Sequence, residues 1–370
     1  MSEVFAVVSG GGTSGHVLPA LAVADALVVA GHRAEAIHYI GARRGIETEL
    51  LPPTPYPHTF FDVVGLQREL NLRNVRLNAG FAPKLWRARR AAVALLRELQ
   101  PRVVVSVGGY ASLPAVLAAR KLGIPVVVVS YDLRPGRASQ VAARKAAACA
   151  VAFPDSPLPR AEFTGAPVRQ AILTVDREAG RAAARAALGL PDDRFVVAVM
   201  GGSLGSGPLN TAVTELLDAN AGDVGLAIRH AVGRRFIDGA RPAGDGPDGV
   251  LYQPVAYEPD MPLVYAAADL FVGRGGASTV HEVAVTGVPA VLVPWAGAAE
   301  DHQTLNVRWL SDRNAAVFLA EADLATLPGI VAALRADPER LAALSTHAYA
   351  LGAAHRQGKL AELIERVASD

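Results

Sequence analysis

The sequence predicts an α/β protein of two Rossmann-like domains, each built on a parallel β-sheet covered by helices on both faces. Three observations lead there. The chain has 370 residues, long for one core when most domains hold roughly 100–200. Short apolar runs alternate with stretches of helical periodicity along most of its length, and strands alternating with helices build parallel sheets buried on both sides. Each half also opens on an apolar run that ends in a glycine loop, Gly10-Gly11-Gly12-Thr13-Ser14-Gly15-His16 in the first and Gly201-Gly202-Ser203-Leu204-Gly205 in the second.

The elements follow in chain order. Residues 4–9 are a short apolar strand pattern, and across 17–30 Leu18, Leu21, Ala22, Ala26 and Val29 recur at helical spacing. The unit then repeats, with strands over 34–40, 103–107 and 126–130 and helices over 86–99 and 113–121. Gly165 and Pro167 fix a turn, so the linker is placed near 164–169. The expected domains are therefore 1–165 and 166–353, with a final helix within about 354–370 read as returning to the first. In the second half a helix over 177–188 leads to a strand over 195–200 and the second glycine loop, and further strands are expected over 225–230, 270–273 and 288–294. There is no short solenoid period and no low-complexity tract.

Composition narrows the class. Charged residues are 19% and hydrophobic ones 51%, with a mean hydropathy of +0.26, which excludes a disordered chain. A net charge of +1 argues against a dedicated nucleic-acid binder. The single cysteine, Cys149, excludes an internal disulfide and a multi-cysteine zinc site, and its apolar run over 146–153 reads as a buried structural thiol. No basic region or small-residue cleavage site precedes the first strand, so the expected location is cytoplasmic. The charge-free stretch over 103–119 is broken by Gly108, Gly109 and Pro114, whereas spanning a bilayer takes about 20 smooth apolar residues.

The motifs carry the chemistry. Gly10, Gly12 and Gly15 fit G-x-G-x-x-G with Glu35 twenty residues on, the outline of a dinucleotide fingerprint. In that fingerprint the acid closes the second strand, whereas Glu35 opens it and the strand ends Tyr39-Ile40-Gly41-Ala42-Arg43 without a carboxylate. The loop reads equally as a phosphate cradle at a helix N-terminus, or as a tight turn with a packed histidine. The second loop adds the Ser203 hydroxyl, a phosphate donor or part of a plain turn. A third segment, Gly273-Arg274-Gly275-Gly276-Ala277-Ser278-Thr279-Val280-His281-Glu282, puts glycines after a strand and before a helix. Its exposed amides suit a diphosphate, and Glu282 suits either the two hydroxyls of a ribose or the dipole of its own helix.

Together with Ser106-Val107-Gly108-Gly109-Tyr110, Gly165-Ala166-Pro167-Val168-Arg169 and Asp301-His302-Gln303-Thr304-Leu305-Asn306, these motifs resemble glycosyltransferase family 28 in order and spacing over nearly the full chain. The resemblance implies a GT-B fold, two Rossmann-like domains with parallel sheets facing a central cleft. It further implies inverting transfer of N-acetylglucosamine from UDP-N-acetylglucosamine to the MurNAc 4-hydroxyl of undecaprenyl-linked lipid I, forming lipid II in peptidoglycan synthesis, with no metal ion and no cofactor. The implied location is peripheral, on the cytoplasmic face of the cell membrane, with cell-wall synthesis proteins as partners.

Residue by residue, the resemblance places Arg169 and Ser203 on the donor nucleotide or its phosphates, and the backbone of Gly276, Ala277, Ser278, Thr279, Val280 and His281 along the diphosphate. Glu282 would hold the ribose, and His302 and Gln303 would face the donor sugar. Thr13, Ser14 and Gly15 form the loop that closes on the donor, and Gly109 and Tyr110 lie on the acceptor side. One departure stands out. Where the family commonly carries His-Glu-Gln-Asn, this chain has Ser130-Tyr131-Asp132-Leu133 before a family-like Pro135-Gly136, so Leu133 replaces an asparagine directed at the donor sugar. Asp132 either substitutes for it or only shapes a turn.

Inversion needs a base for the acceptor proton and a stabiliser for the departing diphosphate. His16 is the candidate base, since an unperturbed imidazole titrates near pH ~6.5. Between Arg68 and Glu98 eight basic residues face two acidic ones, a surplus of six in a chain of net +1. With Phe81, Leu85 and Trp86 beside Arg87 and Arg90, the segment suits an anionic membrane surface, or a solvated helix face with its other side in the core. Rival functions are a related transferase with another sugar donor or a natural-product acceptor, a UDP-sugar 2-epimerase, an NAD(P)-linked oxidoreductase and a non-catalytic binding partner.

Overall fold

The structure, a computed structural model, describes residues 4–12, 14–65, 81–202, 204–245, 249–298 and 301–369, with the backbone alone described at Ser14, Phe81 and Asp245. The chain forms two compact units, Met1–Gln170 with Ala354–Asp370, and Ala171–Ala353.

In the first unit, β1 (Ala6–Ser9), β2 (Ile37–Ala42), β3 (His58–Phe61), β4 (Val103–Ser106), β5 (Val126–Ser130), β6 (Ala148–Val151) and β7 (Ala161–Phe163) form one sheet. Its order is β3-β2-β1-β4-β5-β6-β7 and all its pairings are parallel. The central strands are runs of valine and alanine buried along their whole length, as β-branched chains between two helical layers must be. Helices α1 (Ser14–Val29), α2 (Glu47–Leu50), α3 (Phe81–Leu99), α4 (Leu113–Leu122) and α5 (Arg137–Ala143) complete this part. Ala88, Ala92 and Leu96 of α3, one helical turn apart, enter the core with Ala115, Val116 and Ala119 of α4.

Several boundaries differ from the sequence reading, two of them for clear local reasons. Ala34–Ala36 is a 3-10 turn that leaves Glu35 in water, and β2 starts only at Ile37. Helix α3 extends back to Phe81 because Pro83 falls in its first turn, where no N–H is required. The short edge strands β3 and β7, HTFF and AEF, carry too little apolar pattern to announce themselves.

The second unit contains α6 (Arg177–Leu188), β8 (Phe195–Met200), α7 (Gly207–Ala219), β9 (Leu226–Ala231), β10 (Gly244–Asp245), β11 (Leu251–Val255), α8 (Met261–Ala267), β12 (Leu270–Arg274), α9 (Ala277–Thr286), β13 (Ala290–Val293), α10 (His302–Ser311), β14 (Val317–Phe318), α11 (Leu327–Arg335) and α12 (Pro338–Leu351). Its sheet runs β10-β11-β9-β8-β12-β13-β14, parallel except for the two-residue β10. Val196 and Val197 enter separate core layers, as neighbours on a strand do. Helix α6 has its full sequence-predicted span. The Asp176 carboxylate accepts from the N–H groups of Glu178 and Ala179 at its start, and Gly189, at φ 64°, supplies the left-handed residue that ends it.

The last helix, α13 (Lys359–Ser369), packs on α1, β4 and β6 of the first unit. Leu360, Leu363, Ile364 and Val367 form its buried stripe, and Glu365 pairs with His32 at 2.9 Å. Cys149 is fully buried in β6, and burial pushes its thiol up to about 11, with Arg160 opposing. Among the described residues no helix is long and apolar enough to cross a membrane.

In both sheets the chain works outward one way from a central strand and then the other. The reversal falls between β1 and β4 in the first unit and between β8 and β12 in the second. Crevices beyond the carboxyl ends of strands at such reversals are where doubly wound sheets take ligands. The four glycine-bearing segments all leave these four strands.

Candidate active site

At the reversal of the first sheet, His16 stands in the first turn of α1, directly after the loop that leaves β1. The opposite loop, leaving β4, brings Gly109 against it. A β-carbon on Gly109 would lie 2.1 Å from the Gly11 oxygen and 2.9 Å from Cδ2 of His16, and its φ of 73° is left-handed. Only glycine meets both demands. Tyr110 lies across Gly12, where its ring would meet an added β-carbon at 2.5 Å.

Three side chains that the sequence motifs do not mark as site residues grip the loop. Tyr39, in the middle of β2, donates its hydroxyl to the Gly10 carbonyl at 2.6 Å. Glu47, fully buried in α2, accepts the Gly12 N–H at 2.6 Å, while its Oε2 has no hydrogen-bond partner among the described residues. Tyr131, just past β5, donates to the Gly15 carbonyl at 2.5 Å and lies 2.6 Å from Nδ1 of His16. Burial pushes both phenols well above their usual range, helped at Tyr39 by Glu47 and at Tyr131 by Asp132 and Tyr39. His16, Gly109, Tyr110, Tyr131, Asp132 and Arg137 line a cavity of about 220 Å³. The sequence signals were a tyrosine within one strand, Tyr39, and another directly after a strand, Tyr131.

Arg169 is half-buried in the first unit and acts on Asp25 of α1. Burial raises the Asp25 carboxyl above its usual value, and the Tyr56 hydroxyl at 2.5 Å and the Arg169 guanidinium pull it back.

In the second unit the loop after β8 leads to Ser206, which caps α7 by accepting from Leu209 N–H at 3.4 Å. Arg274, at the end of β12, donates to that same Ser206 hydroxyl at 2.5 Å and pairs with Glu321 at 2.5 Å. It thereby ties the loops after β8 and β12 together. Gly276 precedes α9 in extended conformation, so the amides of Ala277, Ser278 and Thr279 open the helix without intrahelical acceptors. Glu282 lies one and a half turns further on, half-buried, with Oε2 accepting the Tyr265 hydroxyl at 2.8 Å. Val280 and the His281 ring are buried, the latter 6.2 Å from Trp309, so this histidine presents only its backbone. His302 and Gln303 begin α10, where Gln303 Oε1 accepts the Trp295 N–H at 2.9 Å and turns the carboxamide nitrogen the other way.

Thr13 and Ser203 lie outside the described residues, as does the part of the basic segment over 66–80. On α3, Trp86 is 59% exposed with the Arg90 guanidinium 5.8 Å above its ring, Arg87 and Arg89 are exposed, and Leu85 is half-buried. Lys84 is paired with Asp62 at 3.1 Å. A larger cavity of about 450 Å³ opens in the second unit, lined by Arg308, Asp312, Phe318, Arg340 and His347. None of the residues anticipated as functional lines it.

Two doubly wound units in one chain, each with glycine loops at the reversal of its sheet, define the GT-B class of nucleotide-sugar glycosyltransferases. The N-terminal domain of glycosyltransferase family 28 matches residues 6–151 and the C-terminal domain of that family matches residues 196–364, so this chain belongs to glycosyltransferase family 28. A Nocardioides relative, a UDP-N-acetylglucosamine–N-acetylmuramyl-(pentapeptide) pyrophosphoryl-undecaprenol N-acetylglucosamine transferase, is 41% identical over 97% of this chain and 96% of its own. A relative of the same description from Desulforudis audaxviator is 35% identical over 98% of both. The crystal structure of Acinetobacter baumannii MurG superposes with a TM-score of 0.72 at 28% identity, covering 99% of each chain.

Proposed function

We propose that this protein transfers N-acetylglucosamine from UDP-N-acetylglucosamine to the MurNAc 4-hydroxyl of lipid I, with inversion, forming lipid II. The substrates are those in the descriptions of its relatives. The observation that carries the reaction is His16 in the lining of its cavity, with Nδ1 against Tyr131. Nε2 takes the proton of the acceptor hydroxyl while that oxygen bonds to the anomeric carbon. The bond from that carbon to the UDP oxygen breaks with its electron pair, and one such displacement inverts the centre.

The departing diphosphate carries the developing charge. The head of α9 at Gly276–Thr279 meets it with backbone amides, reinforced by the loop at Gly201–Gly205 with Ser203. Glu282, steadied by Tyr265, holds the ribose, and His302 and Gln303 face the sugar. The second unit is the donor domain. The first is the acceptor domain, and the exposed face of α3 with Trp86, Arg87 and Arg90 rests peripherally on an anionic membrane, where lipid I resides.

Purified protein is assayed for UDP release with UDP-N-acetylglucosamine and a lipid I analogue, together and separately. Release requiring both, with a β-linked disaccharide as product, is expected. Conversion of the donor without acceptor would point to a 2-epimerase, and turnover only with another donor or acceptor would move the protein to the related natural-product transferases.

A further inference from the structure

We propose that Tyr131 is the positioning residue of the catalytic base: its hydroxyl, committed to the Gly15 carbonyl, fixes His16 as the Nδ1–H tautomer and so makes Nε2 the proton-accepting nitrogen. The inference rests on the reading of His16 as base and goes beyond it by assigning a role to a segment, Ser130–Leu133, in which this chain departs from its family.

Pro19 leaves a carbonyl at the head of α1 without its helical donor. In α1 the carbonyl of Gly15 would normally accept the N–H of residue 19, and proline has none. Tyr131 reaches from the end of β5 and supplies the missing donor, 2.5 Å from the Gly15 oxygen. A carbonyl only accepts, so the proton on that line is the phenol's own. The phenol has no second proton. Its 2.6 Å contact with Nδ1 of His16 therefore requires the proton to sit on Nδ1, which leaves the lone pair of the neutral ring on Nε2.

The arrangement stays intact through the reaction. Burial, reinforced by Asp132 and Tyr39, raises the phenol well above its ordinary value, so it remains neutral and keeps its bond to Gly15. When Nε2 takes the acceptor proton, the Nδ1–H donor becomes part of an imidazolium and its bond to the tyrosine oxygen becomes charge-assisted. The contact is thus stronger in the transition state than before it, which is the condition for an interaction to raise turnover. Gly109 completes the hold, since its missing side chain lets the loop after β4 close against the ring at Cδ2.

The test uses the full-length protein labelled with ¹⁵N-histidine. Two-bond ¹H–¹⁵N correlations, with the His16 signals identified by their loss in His16→Ala, report which ring nitrogen carries the proton. Wild type is expected to show Nδ1–H, and Tyr131→Phe a mixture of tautomers. In Tyr131→Phe kcat should fall by roughly 10- to 100-fold while KM for UDP-N-acetylglucosamine moves within about twofold. Tyr39→Phe loses an equivalent hydroxyl-to-loop bond without touching the imidazole, so it should keep the Nδ1–H tautomer and separates orientation of the ring from support of the loop.

Nε2–H in the wild-type spectrum overturns the proposal, and that measurement stands even if Tyr131→Phe does not fold. Full turnover of a folded Tyr131→Phe beside a crippled His16→Ala also overturns it. Full turnover of His16→Ala removes instead the base assignment beneath it, and the tautomer spectra still decide whether Tyr131 fixes the ring.

Discussion

Proline at position 19 deprives the head of α1 of one main-chain hydrogen bond, and that is the place to which the chemistry is assigned. His16, beside it, is expected to act as general base, a role usually worth about 10²- to 10⁴-fold in rate. His16→Ala should therefore lower kcat by that order while leaving UDP-N-acetylglucosamine binding nearly intact, which calorimetric titration of the donor beside steady-state assays would check. Near-normal turnover would remove His16 from the role. His16 and Glu282 were legible as candidates in the sequence because each closely follows a glycine loop, and Gln303 only through the family resemblance. Tyr39, Glu47 and Tyr131 were not, since they reach the same loop from 29, 35 and 116 residues away. Their placement depends on which strands are neighbours, and no local pattern encodes that.

Among the elements, α3 is two-sided, and the proposed membrane contact lies on the side turned from the core. Ala88, Ala92, Val93 and Leu96 are buried, whereas Trp86, Arg87, Arg89 and Arg90 face solvent. Basic residues close to an anionic surface contribute about 1 kcal/mol each, so neutralising three should weaken vesicle binding on the order of 100-fold. Arg87, Arg89 and Arg90 are the ones to change to glutamine, because Lys84 is already committed to Asp62. Co-sedimentation with vesicles of rising anionic content would measure it, and binding indifferent to lipid charge or to the triple substitution would rule out the contact. Elements with signals at both ends were readable to the residue, as in α6 between Asp176 and Gly189. Short edge strands such as β3, β7 and β14 were not, because a few half-buried or exposed residues show no period.

For the whole molecule, each unit holds a buried neutral histidine in its sheet. His38 bonds Thr59 at 2.9 Å, and His230 lies between Tyr252 and Asn210 at 3.0 Å each. Burial lowers both from 6.5 to about 4, with His58 adding to the effect at His38. Above 6.5 both are neutral whether the chain is folded or not. As pH falls below that value the unfolded chain takes up protons that the folded one refuses, and stability declines until about pH 4, by on the order of 3 kcal/mol for each. Scanning calorimetry between pH 6.5 and 5, above most carboxylate titrations, should show a falling Tm, and a flat profile would contradict it. Both histidines were plain in the sequence as residues, but not as buried ones. By itself the sequence determined the two doubly wound units, the glycine loops and the family, because hydrophobic period and turn chemistry act over a few residues. Only the tertiary structure decided which hydroxyl and which carboxylate grip the first loop and which phenol meets Nδ1 of His16, because those partners are chosen by the order of strands across a sheet.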